Sequence, residues 1–110
     1  RRDVLALARR FFAETETAAI ERCDEAGRAL CFLRLWTCKE ALLKAHGRGL
    51  AFGTERVVVS LDRGSPHLLA FEGEPLDAWH LRELVCDDAW VAALAWRGPS
   101  LQVRWRGHFE

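Results

Sequence analysis

The feature that most constrains this chain is a change of hydrophobic period at about Arg56. Before it, apolar residues recur at helical spacing; after it they alternate, with Val57, Val59 and Leu61 set against Val58, Ser60 and Asp62. Helices repeat about every 3.6 residues and strands every 2, so the order predicts helices first and strands after. That order reads as an α+β domain with a long helix packed on an antiparallel sheet. With 110 residues, half of them hydrophobic, no low-complexity tract and no internal repeat, the chain suits one globular domain with one core.

The helical half has three parts. Asp3 suits an N-cap, followed by Val4, Leu5, Leu7, Ala8, Phe11 and Phe12, with Arg9 and Arg10 placed to complement the negative end of the helix. The run Ala13-Glu14-Thr15-Glu16-Thr17 breaks the pattern, and Thr15 or Thr17 is read as the cap of a short second helix through Ile20 and Arg22. After the polar interruption Cys23-Asp24-Glu25-Ala26-Gly27, a long helix runs to about Ala45, and Gly47 and Gly49 end it. Its positions are apolar or small around most of the circumference, the pattern of a buried or interface helix.

The strand half is read as a hairpin, Val57 onward and about His67 to Phe71, joined through Arg63-Gly64-Ser65-Pro66. A third strand is expected at Trp79 to Cys86 and a fourth through Ala89 to Trp96. The fourth is apolar on both faces, as in a central strand with the helix on one side and a second layer or partner on the other. Gly98-Pro99 then precedes a last strand, Leu101 to Trp105, with the alternation of a half-exposed edge. Trp79, Trp90, Trp96 and Trp105 are read as core or interface aromatics.

The formal net charge is zero, which argues against a nucleic-acid binder or a polybasic membrane anchor. No apolar run approaches the roughly 18 residues needed to cross a bilayer, and a soluble, cytoplasmic protein is expected. Cys23, Cys31, Cys38 and Cys86 show neither a CxxC pair nor metal-ligand spacing, and are read as buried free thiols in a reducing cytoplasm. The first residues already read as helical, so a fragment or processed piece of a longer protein is expected.

The long helix holds both lysines, Lys39 and Lys44, in a chain whose other basic residues are arginines. Glu40 and Lys44 stand one turn apart on one face, flanked by Thr37 and Trp36. They can be a simple i,i+4 ion pair, worth about 0.2–0.5 kcal/mol. A charge cluster on a mostly apolar helix is also a candidate site, since charges taken from water need partners. Glu16 can likewise be a first-turn carboxylate that complements a helix dipole.

The run Trp36-Thr37-Cys38-Lys39-Glu40-Ala41-Leu42-Leu43-Lys44, followed by Gly47-Arg48-Gly49-Leu50, resembles the W-[ST]-x-K-E-[AS]-x-x-K…G-x-G-[LF] signature of the 4′-phosphopantetheinyl transferases, particularly the surfactin-type, two-domain group. Upstream, Arg10-Phe11-Phe12-Ala13-Glu14-Thr15-Glu16 is similar to that family's R-F-F-[SAT]-x-x-E segment. The resemblance implies a transferase-like half-domain over residues 1–110. It also implies an enzyme that moves the phosphopantetheine arm of coenzyme A onto a serine of an apo acyl or peptidyl carrier protein, with magnesium, in fatty-acid, polyketide or nonribosomal peptide synthesis. Residue by residue, Glu40 matches the magnesium-ligand glutamate and Lys44 the lysine that contacts the coenzyme A phosphates. Lys39 matches the lysine of the K-E pair, with a phosphate or carrier electrostatic role, and Glu16 the glutamate proposed as the base for the serine proton.

The family's upstream acidic motif, G-[IV]-D-x-E, which supplies further metal ligands, is absent from the chain. The chain is therefore expected to be the C-terminal half of such an enzyme, its pocket completed by the N-terminal half. Alone it is expected to be inactive, with an exposed apolar face. A homodimer of the chain is the other way to build the missing wall, and which carrier is served stays open. The alternative reading is a non-catalytic module that keeps the transferase fold to bind a carrier protein or to dimerise.

Overall fold

The computed structural model describes residues 3–87 and 90–99. Helix α1, Val4–Phe11, is capped as expected: the Asp3 carboxylate accepts from the backbone N–H of Leu5 and Ala6. Helix α2, Glu14–Arg22, starts earlier than its threonines suggest, with Ala13 at the cap. The reason is local, because Glu16 reaches back to accept from Ala13 N at 3.0 Å and Thr17 Oγ1 donates to Ala13 O at 3.2 Å. Both side chains satisfy groups at the helix start, and no cap side chain is required.

Helix α3, Glu25–His46, also begins sooner than its polar start implies. Asp24 caps it, accepting from Gly27 N at 2.8 Å, so Gly27 lies inside the first turn. At the far end Gly47 closes the helix in the left-handed conformation, φ 95°, and donates to the carbonyls of Leu43 and Lys44. Gly49–Phe52 and Thr54–Arg56 form short 3₁₀ turns that bring the chain back toward α1, where Thr54 Oγ1 donates to Phe11 O at 2.5 Å.

Strands β1, Val57–Arg63, and β2, Ser65–Phe71, form the expected antiparallel hairpin, with Val57 opposite Phe71 and Arg63 opposite Ser65. Gly64 at φ 82° makes the turn. Strands β3, Trp79–Asp87, and β4, Trp90–Arg97, form a second antiparallel pair, from Trp79 opposite Arg97 to Val85 opposite Val91. The expected sheet is thus two hairpins, and among the described residues β4 pairs with β3 alone. The helix expected on one side of β4 is α3, which packs against this strand, and Ala93 and Ala95 join the core. The strand expected at Leu101 to Trp105 lies outside the described residues.

The core sits between α3 and the strands. On α3 it takes Leu35, Cys38, Lys39, Leu42 and Leu43, the i, i+3, i+4, i+7, i+8 spacing of one helix face. Ala8, Phe12, Ile20, Phe52, Val57, Val59, Phe71 and Trp79 meet it from the other elements. Among the described residues the opposite face of α3 is not covered: Leu30 and Leu33 are exposed. At the glycine-loop end His46 packs on Phe52 and Phe71, with ring centroids 4.8 and 5.1 Å away, and ties the helix end to the first 3₁₀ turn and the first hairpin.

Arg34 bolts the hairpins together where their strands do not pair. From α3 it donates to both Glu83 carboxylate oxygens, Nε to Oε2 at 2.9 Å and Nη2 to Oε1 at 2.6 Å, and Nη2 also reaches Gly64 O at 2.8 Å. Glu83 is on β3 and Gly64 joins β1 to β2, so one planar guanidinium spans the gap. A lysine cannot reproduce that fork. Arg34→Lys is expected to lower stability by about 1.5–3 kcal/mol, the worth of hydrogen bonds to a charged group, measured as a shift of the urea midpoint with unchanged slope.

Candidate active site

The four candidate residues fall into two pairs with opposite environments. Glu16 and Lys39 are inside the protein, 1% and 0% exposed. Glu40 and Lys44 are on the surface, with side chains 43% and 74% exposed. Adjacent residues on a helix are rotated by 100°, and that step carries Lys39 into the core and Glu40 out of it.

The buried pair is fully engaged. Lys39 Nζ donates to Glu16 Oε1 at 2.5 Å, and the same oxygen accepts from Ala13 N. Glu16 Oε2 accepts from Val59 N at 2.8 Å, beside the register slip of β1 between Val58 and Val59. One carboxylate thus joins α2, α3 and β1. Burial pulls the Lys39 ammonium below the ordinary lysine range, and the Glu16 charge and hydrogen bond work against that shift. Lys39 Nζ also lies 4.5 Å from the Phe12 ring centroid, a cation–π contact.

Phe12 in turn stacks on Phe32 at 5.0 Å and on Trp36 at 6.3 Å. The two sequence segments singled out above, around Phe11-Phe12…Glu16 and Trp36…Lys39-Glu40, therefore pack directly on each other. Trp36 and Phe12 supply the apolar contact and Lys39 and Glu16 the ionic one. Helical spacing carried a signal for this: Lys39 follows Leu35 by four residues and precedes Leu42 and Leu43 by three and four, which is a core position whatever the side chain.

The surface pair is the expected i,i+4 arrangement, Lys44 Nζ to Glu40 Oε2 at 3.9 Å. Leu33, Thr37, Glu40 and Lys44, at i, i+4, i+7 and i+11, form one outward stripe of α3. A cation at 3.9 Å is a loose contact for a half-exposed carboxylate and leaves its oxygens available to another ligand. Among the described residues no three His, Cys, Asp or Glu side chains are grouped to hold a metal ion. Glu40 supplies one carboxylate, a donor set that fits magnesium when substrate phosphates and water fill the other positions.

A concavity of about 570 Å³ lies elsewhere, between β2 and β3, lined by His67, His80, Arg82 and Trp96 among others. Glu40 and Lys44 are not part of it. They form an open surface with one wall. No described helix is long and apolar enough to cross a membrane.

The buried pair is directly testable. Removing one partner leaves the other charge unpaired in the core, so Lys39→Met is expected to cost roughly 3–5 kcal/mol, a large part of the about 5–15 kcal/mol typical of a domain. Chemical denaturation of the variant against the parent measures it.

Comparison with known proteins bears on what this surface serves. HetI, a 4′-phosphopantetheinyl transferase of Nostoc sp., is 40% identical over 100 residues, which are 91% of this chain and 40% of HetI. A Synechocystis sp. protein, slr0495, provisionally named for the same transferase activity, is 35% identical over 98 residues, 84% of this chain and 39% of that protein. The chain thus spans about two-fifths of the length of these curated relatives. No solved structure matches it significantly. The profile of the 4′-phosphopantetheinyl transferase superfamily matches residues 1–95, nearly the whole of the described fold, and the chain belongs to that superfamily.

Proposed function

We propose that this chain forms one wall of the active site of a transferase that moves the 4′-phosphopantetheine group of coenzyme A to a serine of an acyl or peptidyl carrier protein. The observation that carries the reading is the outward stripe of Glu40 and Lys44, exposed on a helix face that no described residue covers. Family membership and the greater length of the curated relatives support a second wall from elsewhere in the same enzyme, its N-terminal half. A second copy of the chain is the other candidate for that wall.

In this reading Glu40 holds magnesium and Lys44 binds the phosphates of coenzyme A. Breaking the pyrophosphate link puts negative charge on the oxygens around the attacked phosphorus, and the bound magnesium supplies positive charge there. Lys44 adds a mobile ammonium from the next turn of the same stripe. Glu40 and Lys44 hold each other only loosely, so neither must leave a strong partner to bind substrate.

Glu16 and Lys39 act by positioning. To accept the serine proton, Glu16 would have to give up its contacts with Ala13 N, Lys39 Nζ and Val59 N and reach solvent from a buried place. Their pairing instead fixes the rotation of α3, and that rotation presents Glu40 and Lys44 on one side. The alternative, a non-catalytic module that docks a carrier protein, would use the same uncovered face with Leu30 and Leu33 as its apolar contacts.

The complete protein, incubated with coenzyme A, magnesium and an apo carrier protein, is expected to add the mass of one phosphopantetheine to the carrier. Glu40→Gln is expected to slow the transfer on the order of 10²-fold or more without lowering the melting temperature, because its side chain is outside the core. Absence of any mass gain, or full activity in Glu40→Gln, overturns the reading and favours the docking module.

A further inference from the structure

Two thiols outside this site are placed together by the fold. Cys23 closes α2, its Sγ 3.5 Å from Ala19 O, and Cys31 stands in the second turn of α3. Both line one hollow of about 400 Å³ together with Arg22, Arg34 and Asp62. Gly27, which lines the same hollow, leaves the space beside Cys23 free of a side chain. A Cβ at Gly27 would stand 3.7 Å from Cys23 Cβ, and Gly27 and Cys31 are one turn apart on the same face of α3, where Cβ positions are about 5–6 Å apart. Cys23 and Cys31 are both free thiols and only half-buried, not the buried thiols expected from the sequence; of the described cysteines Cys38 alone is buried.

We propose that Cys23 and Cys31 are an oxidant-responsive pair that closes into a disulfide tying the end of α2 to the start of α3, with a small-molecule disulfide such as oxidised glutathione as co-reactant. The Cys23 thiolate attacks a sulfur of the small disulfide, forming a mixed disulfide and releasing one small thiol. The Cys31 thiol, losing its proton to solvent, then attacks Cys23 Sγ, breaks the mixed disulfide and releases the second small thiol. One disulfide is reduced and one is made, and the protons lost by the two cysteines end on the two released thiols.

Cys23 is the attacking thiol because Cys31 is held protonated: burial, then the neighbouring Cys23, push it up to about 11, with Arg34 and Arg22 working against the shift. Once Cys23 carries the adduct, the second step is intramolecular, and proximity offsets the small thiolate fraction of Cys31. Cys38 is a useful internal control. It is fully buried and pushed up to about 12 by that burial, so it stays reduced.

The test is disulfide mapping of the intact native protein after exposure to oxidised glutathione, with free thiols blocked before digestion. Trypsin cuts after Arg22, Arg28 and Arg34, which leaves Cys23 and Cys31 on separate peptides. The expected product is peptide 23–28 linked to peptide 29–34, in about tenfold excess over any link to Cys38 or Cys86. In Cys31→Ser the reaction is expected to stop at a glutathione adduct on Cys23, with Cys31→Ala as a second variant if the serine loses the helical circular-dichroism signal. A glutathione adduct that persists on Cys23 of the parent without the cross-link overturns the proposal, as does a link to Cys38 or Cys86 of equal abundance.

Discussion

The rest of the structure depends on a carboxylate and an ammonium that never meet water. Glu16 and Lys39 are both buried, and their contact reaches across α2, α3 and β1. Taking either charge out of water alone costs several kcal/mol, and the fold repays this by surrounding the pair with donors and a ring face: Ala13 N, Val59 N and Phe12. Such a pair contributes specificity more than net stability, because an apolar helix face can slide or rotate against a core at little cost whereas a buried ammonium has one acceptable place. Lys39 therefore fixes which side of α3 faces inward.

That constraint explains why the polar residues of α3 divide as they do. With Leu35, Cys38, Lys39, Leu42 and Leu43 directed to the core, Glu40 and Lys44 are directed away from it by the geometry of the helix. Aromatic stacking of Phe12, Phe32 and Trp36 holds α1 against the same helix. Gly47 ends the helix just past Lys44, and His46 anchors that end among Phe52 and Phe71. The outward stripe is thus rigidly mounted although its own two charges touch only loosely.

Much of this was legible in the residues and some was not. The change of period at Arg56, the Asp3 cap, the Gly47 stop and the β1–β2 hairpin are local features, and local rules recover them. The start of α2 was misplaced because Glu16 and Thr17 serve the cap from inside the helix, so the residue at the cap itself, Ala13, carries no signal. The apolar character of β4 correctly implied a helix lying on it, which is α3, but not its place in the sheet, because among the described residues it pairs with β3 alone. Glu40–Lys44 could be read from i,i+4 spacing, whereas Glu16–Lys39 joins residues on different helices, which spacing on one helix cannot reveal. Gly27 reads in the sequence as part of a polar interruption; in three dimensions it lies in the first turn of α3 and is the gap beside Cys23.

A double-mutant cycle on Glu16 and Lys39, read by chemical denaturation, tests the central claim most directly. If the two side chains act chiefly on each other, Glu16→Gln and Lys39→Met each lose stability on their own, and the double variant loses no more than either single one, a coupling of about 2 kcal/mol or more. Additive losses, or a fully stable Glu16→Gln whose transferase activity is gone, would contradict it and return Glu16 to the role of a proton acceptor.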